Sequence, residues 1–131
     1  PVSDIYGLRQ ALENIKDDKD ILKRHERIAV KTREALLRAG LHLYAQNGYS
    51  NTVTVFTIPG GATAGDILKL MREEHDIMLA GSFDVLAGEV IRIGHMGYNC
   101  TEENMRETLA ALNVVLEKLG IERKNVLEYR G

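Results

Sequence analysis

The residue best suited to chemistry in this sequence is Arg92, which lies in the apolar run VIRIG at residues 90–94. Successive side chains of a β-strand alternate between its two faces, so Arg92 and Gly94 share one face. Ile91 and Ile93 take the other face, and we expect them to point into the core. Gly94 leaves room for another group to approach. A guanidinium is always charged, and its planar fork of donors matches a carboxylate. Two interpretations stay open: an anchor for an acidic ligand, or an exposed or ion-paired surface arginine.

Other reactive side chains show no pattern that indicates a site. The four histidines are far apart, and none stands at metal-ligand spacing from another histidine or the cysteine, so we expect no zinc site. They are His25, His42, His75 and His95. Cys100 precedes a predicted helix, but no base is paired with it, and a small buried apolar residue is the favoured interpretation. Residues 59–61 (PGG) lack the glycine spacing of a phosphate-binding loop and indicate a turn.

The composition indicates a folded single domain without a strong charge preference. The chain has 131 residues, of which 44% are hydrophobic and 27% charged, and its net charge is −2. This charge does not favour nucleic acid or an anionic membrane, and no apolar run approaches the roughly 20 residues that span a bilayer. The N-terminus lacks the basic and apolar stretches of a signal peptide. A single cysteine fits a reducing compartment, so we predict a cytoplasmic protein that binds neither nucleic acid nor membrane.

Two helices are predicted in the first forty residues. Four apolar residues recur at helical spacing in the first helix, with Ser3 or Asp4 as its N-cap. They are Ile5, Leu8, Leu12 and Ile15. The polar segment Lys16–Asp20 should interrupt or bend the helical path. A second helix should begin at about Ile21, and Gly40 should end it. Its predicted core positions are Leu22, Ile28, Ala29, Leu36 and Ala39. Its many basic residues are interrupted by glutamates and indicate a solvated face.

The remaining pattern predicts four strands and two more helices. The predicted strands are Leu41–Ala45, Thr52–Ile58, Ile77–Ala80 and Glu89–Ile93. One helix should begin after Thr63, with Asp66 completing a capping pair, and the last should begin after Thr101. Met105, Leu109, Leu112 and Leu116 form the apolar stripe of this last helix. The fold class is therefore α+β: a small, mostly antiparallel sheet covered by helices.

A family resemblance adds to this interpretation. Residues 92–112 (RIGHMGYNCTEENMRETLAAL) resemble the C-terminal region of class V aminotransferases, pyridoxal-phosphate enzymes of the alanine–glyoxylate and serine–pyruvate type. Residues 1–12, 53–71 and 77–97 resemble the helix, the strand–turn–helix and the loop that belong to the same domain. The resemblance covers essentially the whole chain. It implies the C-terminal small domain of a fold-type I pyridoxal-phosphate transferase, spanning residues 1–131.

The resemblance also implies what the protein does. In that family the arginine of the Arg-Ile-Gly-His motif binds the substrate carboxylate, which makes Arg92 the substrate anchor. The full-length enzyme would transfer an amino group from an amino acid, alanine or serine, to a 2-oxo acid such as glyoxylate, and would act as a homodimer. Its Schiff-base lysine and its contacts to pyridoxal 5'-phosphate belong to a large domain that this chain lacks. We therefore expect no catalytic, cofactor-binding or metal-binding residue here, and no activity from these residues alone.

Two alternatives remain open at this level. A stand-alone α+β module that binds a small carboxylic acid without catalysis would also use Arg92. A purely structural oligomerisation domain would bind no ligand. The chain starts at Pro1 without a methionine, which favours a processed product or a piece of a longer protein.

Overall fold

The computed structural model describes all 131 residues and has four helices and one small sheet. The helices are α1 (Val2–Asp17), α2 (Ile21–Arg38), α3 (Ala64–His75) and α4 (Glu102–Lys118), and the strands are β1 (Val53–Thr57) and β2 (Val90–Gly94). Single turns of 3-10 helix lie at Asp84–Leu86 and Gly97–Asn99. In this arrangement α2 packs against β1, and α3 packs against α4. The predicted α+β class is confirmed.

The sheet consists of β1 and β2 in antiparallel pairing, with Val55 opposite Arg92. Thr54, Phe56, Ile91 and Ile93 form the face that is turned toward the helices, and each is at most 2% exposed. Side chains on the opposite face of the sheet include Val55 and Arg92, which are half-buried. The predicted alternation of β2 is therefore correct, and its isoleucines pack into the core.

The first and third predicted strands are wrong as regular strands, because each pairs with the sheet at one residue. Leu43 forms a single antiparallel bridge to Phe56, and Ala80 forms one to Arg92. Tyr44 N still donates to Val55 O at 3.0 Å, and the chain then leaves the sheet. The carbonyl oxygen of Leu43 accepts a hydrogen bond from Gln46 Nε2 at 3.1 Å. After Ala80 the chain turns at residue 81, whose carbonyl binds a side chain instead of a neighbouring strand. Without consecutive ladder bonds, neither segment continues as a strand.

The two later helices begin and pack as predicted. Thr101 Oγ1 accepts a hydrogen bond from Asn104 N at 3.1 Å, and Thr63 Oγ1 accepts one from Asp66 N at the same distance. These hydroxyls satisfy backbone donors that the first helical turn leaves free. The predicted apolar stripe of α4 is at most 3% exposed at Met105, Leu109, Leu112 and Leu116.

In α2 one predicted core position is wrong. Ile28, Ala29, Leu36 and Ala39 are buried, but Leu22 is 82% exposed. At 100° per residue, Leu22 lies about 120° around the helix from Ile28, and His25 takes the inward position instead. Gly40 follows the helix with φ of +89°, the left-handed conformation predicted for its end.

Helix α1 forms from the predicted spacing but does not join the core. Its stripe residues Ile5, Leu8, Leu12 and Ile15 are 53–66% exposed, and no residue of α1 is buried. Asn14 Nδ2 donates to Tyr98 Oη at 2.9 Å and links the helix to the turn after β2.

The predicted N-cap of α1 is also wrong. Pro1 takes the N-cap position without a side-chain hydrogen bond, and Ser3 and Asp4 lie inside the helix. Proline is tolerated at the start of a helix, because the N–H that it lacks would have no helical partner there.

The C-terminal segment after α4 completes the core, which the sequence patterns did not predict. Leu127 is 0% exposed and Tyr129 7% exposed, although neither belongs to a helix or strand. Lys124 N donates to Ala39 O at 2.9 Å, and Leu127 N donates to Asn113 Oδ1 at 3.0 Å. The segment thereby joins the end of α2 to α4.

Buried His95 links the end of β2 to the beginning of β1. Its side chain is 0% exposed, and its Nδ1 donates to Asn51 O at 3.2 Å while Nε2 bonds Thr54 Oγ1 at 2.8 Å. Burial lowers the pKa of His95 below its ordinary value of 6.5. His95 therefore turns toward the core, where burial favours its neutral form.

The core and α1 should respond differently to the same substitution. Leu112→Ala should lower the free energy of unfolding by about 2–5 kcal/mol, because it leaves a cavity at a fully buried position. Leu8→Ala, at a position 60% exposed, should change it by less than about 0.5 kcal/mol. Urea denaturation of the 131-residue chain measures both. Equal losses would contradict the exposed position of α1.

His95 should make stability depend on pH. The unfolded chain binds a proton below about pH 6.5 while the folded chain does not, so stability should fall as the pH decreases below that value. His95→Gln should reduce this dependence and cost about 1–3 kcal/mol at neutral pH, since buried hydrogen bonds are lost. The exposed His42→Gln is the control and should change neither. Urea denaturation at pH 7.5 and 5.0 measures the free energy of unfolding of each variant. If the difference between the two pH values is unchanged in His95→Gln, His95 is not the source of the pH dependence.

Candidate carboxylate-binding site

The backbone of Arg92 is held on both sides. In the sheet register, Arg92 pairs with Val55 of β1. On the other side, Arg92 N donates to Ala80 O at 2.7 Å, and Ala80 N donates to Arg92 O at 3.3 Å. Its neighbours Ile91 and Ile93 are buried in the core. The position from which the Arg92 side chain leaves the sheet is therefore fixed.

The guanidinium of Arg92 is held near its base and free at its end. Its Nε donates to Gly81 O at 2.7 Å, and its Cζ lies 5.7 Å from the ring centre of Phe83. Arg92 forms no ion pair with any carboxylate of the chain. The ion-paired interpretation is thus excluded. Both terminal nitrogens keep their donors for a ligand.

The surface beside Arg92 is open. Gly94 is exposed, and a Cβ built at that position would meet no atom within 4 Å. Val53 lies opposite Gly94 in the register, on the same face as Arg92. Since the other face of the sheet is filled by the core, a ligand of Arg92 can reach it only from this open side.

Arg24 and Arg27 of α2 differ from Arg92, because they form ion pairs with carboxylates of the chain. Arg24 donates to both carboxylate oxygens of Asp18, at 2.6 and 3.0 Å, and this contact lowers the pKa of Asp18. Arg27 approaches Glu102 at 3.3 Å, and Arg33 donates to Ser50 O at 3.0 Å. These contacts agree with a solvated, structural role for the basic face of α2.

The remaining sequence candidates form no reactive site. Cys100 is 0% exposed within the core cluster, and burial raises the pKa of its thiol, so it is a packing residue. No group of three His, Cys, Asp or Glu residues could hold a metal ion. At residues 59–61 the chain makes a turn closed by Ala62 N and Pro59 O at 3.3 Å. None of the helices is long and apolar enough to cross a bilayer.

Two contacts of Arg92 were missed by the sequence patterns. Gly81 and Phe83 lie 11 and 9 positions before Arg92 along the chain, in a loop without periodic spacing. Only the bridge between Ala80 and Arg92 brings them beside the guanidinium. The available signal was an aromatic residue inside a glycine-bounded loop, in a chain with only two phenylalanines.

Comparisons with known proteins identify relatives of this chain. No protein-family model matches the chain. A protein of Methanocaldococcus jannaschii named as an uncharacterized aminotransferase is 36% identical over 91% of the chain. The serine–glyoxylate aminotransferase of Arabidopsis thaliana is 32% identical over 88%. A protein named as the small subunit of a soluble hydrogenase, from a Synechococcus species, is 34% identical over 92%. The chain spans between 30% and 32% of the length of these relatives.

The fold leads to the same group. The crystal structure of ureidoglycine–glyoxylate aminotransferase from Bacillus subtilis superposes with a TM-score of 0.81 at 29% identity, covering 93% of this chain and 31% of that one. Pyridoxamine–pyruvate aminotransferase from Mesorhizobium loti shares the fold with a TM-score of 0.78 at 22% identity, over 86% of this chain and 29% of that one. In sequence and fold the chain therefore resembles the class V aminotransferases, and it matches their C-terminal domain.

Proposed function

We propose that this chain is the substrate-anchoring small domain of a pyridoxal-phosphate-dependent aminotransferase. The enzyme transfers an amino group from an amino acid, alanine or serine, to a 2-oxo acid such as glyoxylate. The names of the relatives support this reaction, since they include serine–glyoxylate, ureidoglycine–glyoxylate and alanine–glyoxylate aminotransferases. The chain covers about a third of their length, so the activity is that of a longer protein.

The observation that carries the proposal is the free guanidinium fork of Arg92. An amino acid donor and a 2-oxo acid acceptor both carry a carboxylate on the carbon that reacts. One cation can therefore hold each of them in turn with the same geometry. Two parallel N–H donors fix a carboxylate in orientation as well as in distance, and such positioning lowers the barrier of a reaction at the neighbouring carbon.

Pyridoxal 5'-phosphate supplies the electron sink of this chemistry, but the residues of this chain do not by themselves fit it. A lysine that binds such a cofactor lies in a desolvated pocket. Six of the seven lysines here are exposed, and the remaining one, Lys31, is half-buried and pairs with Glu34 at 3.3 Å. The cofactor site therefore belongs to residues outside these 131, and Arg92 contributes the carboxylate contact.

Two further features complete the proposal. The family resemblance favours a homodimer with its active sites between domains. The single cysteine, which is buried and unpaired, agrees with a cytoplasmic location.

Substitution of Arg92 tests its role in the longer polypeptide. Arg92→Ala should lower kcat/KM for both the amino acid and the oxo acid by about 100-fold or more, because two charge-assisted hydrogen bonds are lost at about 1.5–3 kcal/mol each. The kcat/KM of Arg92→Lys should lie between the values of the parental enzyme and of Arg92→Ala, since lysine keeps the charge without the fork. Arg72→Ala, at an exposed site on α3, is the matched control. Steady-state kinetics with alanine and glyoxylate measure the effect, and cofactor content verifies an intact site. Full activity of Arg92→Ala with bound cofactor would sink the assignment.

The 131 residues alone should retain no pyridoxal 5'-phosphate and catalyse no amino transfer. The physical reason is that no lysine of the chain lies in a desolvated pocket. The measurement is the absorbance of cofactor released after incubation and desalting, alongside an alanine–glyoxylate assay. Stoichiometric retention of the cofactor would show that a site has been overlooked in this chain.

A further inference from the structure

Phe83 is an aromatic side chain that core packing does not explain. It is 81% exposed, whereas Phe56, the other phenylalanine, is 0% exposed. Burial of a phenylalanine side chain stabilises a protein, and an exposed ring gives up this gain. Phe83 therefore has either no role at all or a role in what it touches at the surface.

The ring of Phe83 touches the guanidinium of Arg92. The distance of 5.7 Å from Cζ to the ring centre is within the range of a cation–π interaction. The carbonyl of Gly81, two residues earlier, accepts from Nε at 2.7 Å. Ala80 forms both backbone hydrogen bonds to Arg92. One short segment, residues 80–83, thus holds the backbone, the base and one face of the same arginine.

The turn that follows keeps Phe83 in this position. Leu86 N donates to Phe83 O at 3.2 Å, which closes the 3-10 turn. Asp84, the first residue of this turn, has φ of +55°, a conformation that side-chain-bearing residues adopt at a cost. The backbone leaving Phe83 is therefore closely constrained, although the loop is exposed.

We propose that Phe83 is a positioning residue for the carboxylate anchor. Its ring restrains the Arg92 guanidinium, together with the Gly81 carbonyl, so that the two terminal nitrogens receive the substrate carboxylate end-on. The proposal rests on the proposed function of Arg92 and deepens it.

The restraint has a physical consequence for binding. A free arginine side chain has considerable rotamer entropy, which a ligand must overcome when it orders the group. Because Nε is already occupied, the side-on mode through Nε is closed to a ligand, and the terminal pair remains. A guanidinium ordered in advance binds either substrate more tightly without any new contact to it. The effect should therefore fall on KM for both carboxylate substrates and much less on kcat.

Substitution of Phe83 in the longer polypeptide tests the proposal, with L-alanine and glyoxylate as the probes. Phe83→Ala should raise KM for both by roughly 3- to 10-fold, in line with the strength of cation–π contacts. Phe83→Tyr should restore the parental KM, because it keeps the ring. Phe83→Leu, which is apolar but lacks the ring, should not. Val85→Ala is the matched control, since Val85 is 86% exposed on the same turn and its side chain is likewise apolar.

A double substitution separates this proposal from the one on which it rests. In an Arg92→Ala background, Phe83→Ala should cause no further rise in KM, because the group that it restrains is gone. If Arg92→Ala weakens both substrates while Phe83→Ala leaves KM unchanged, the inference about Phe83 fails and the function of Arg92 stands. If Phe83→Leu restores KM, the ring acts only as an apolar cover, and the positioning role is overturned. If Arg92→Ala has no effect, both proposals fail together.

Discussion

The antiparallel register of β1 and β2 is the constraint on which the rest of this domain depends. It puts Thr54 opposite Ile93 and Phe56 opposite Ile91 on the face that the helices cover. The same register leaves Arg92 on the other face. A slip of one residue would carry the arginine into the core and its isoleucines into solvent. The core thereby specifies the position of the anchor, since burial of the four residues on the inner face selects a single pairing.

The free charge of Arg92 depends on how the rest of the chain distributes its acids. The chain is nearly neutral, and the arginines of α2 take their partners from nearby carboxylates and carbonyls. Around Arg92 the available groups are a carbonyl and an aromatic ring, which restrain a guanidinium without neutralising it. This environment keeps the full positive charge available to an anion. Arg24 and Arg27, by contrast, are paired with carboxylates. Sequence position alone does not indicate this difference.

The domain has a closed core and one helix outside it. Helices α2, α3 and α4, the sheet and the C-terminal segment bury their apolar residues against one another. Helix α1 has an equally regular apolar stripe, which stays exposed. The whole chain spans about a third of the length of its relatives. Helical periodicity therefore predicts which face of a helix is apolar, but not which other element covers that face.

The sequence by itself determined the local structure and indicated Arg92 as the proposed anchor. Spacing predicted the four helices, threonine caps predicted where α3 and α4 begin, and alternation in residues 90–94 put Arg92 opposite the isoleucines. These features depend on neighbours along the chain, whose geometry is set by backbone periodicity. The motif around Arg92 also indicated the resemblance to aminotransferases. Only the tertiary structure decided that two predicted strands pair at one residue each, that Leu22 faces solvent and that Leu127 completes the core. It alone brought Gly81 and Phe83 to Arg92, because contacts across 9 and 11 positions through a single bridge follow from packing and leave no periodic trace in the sequence.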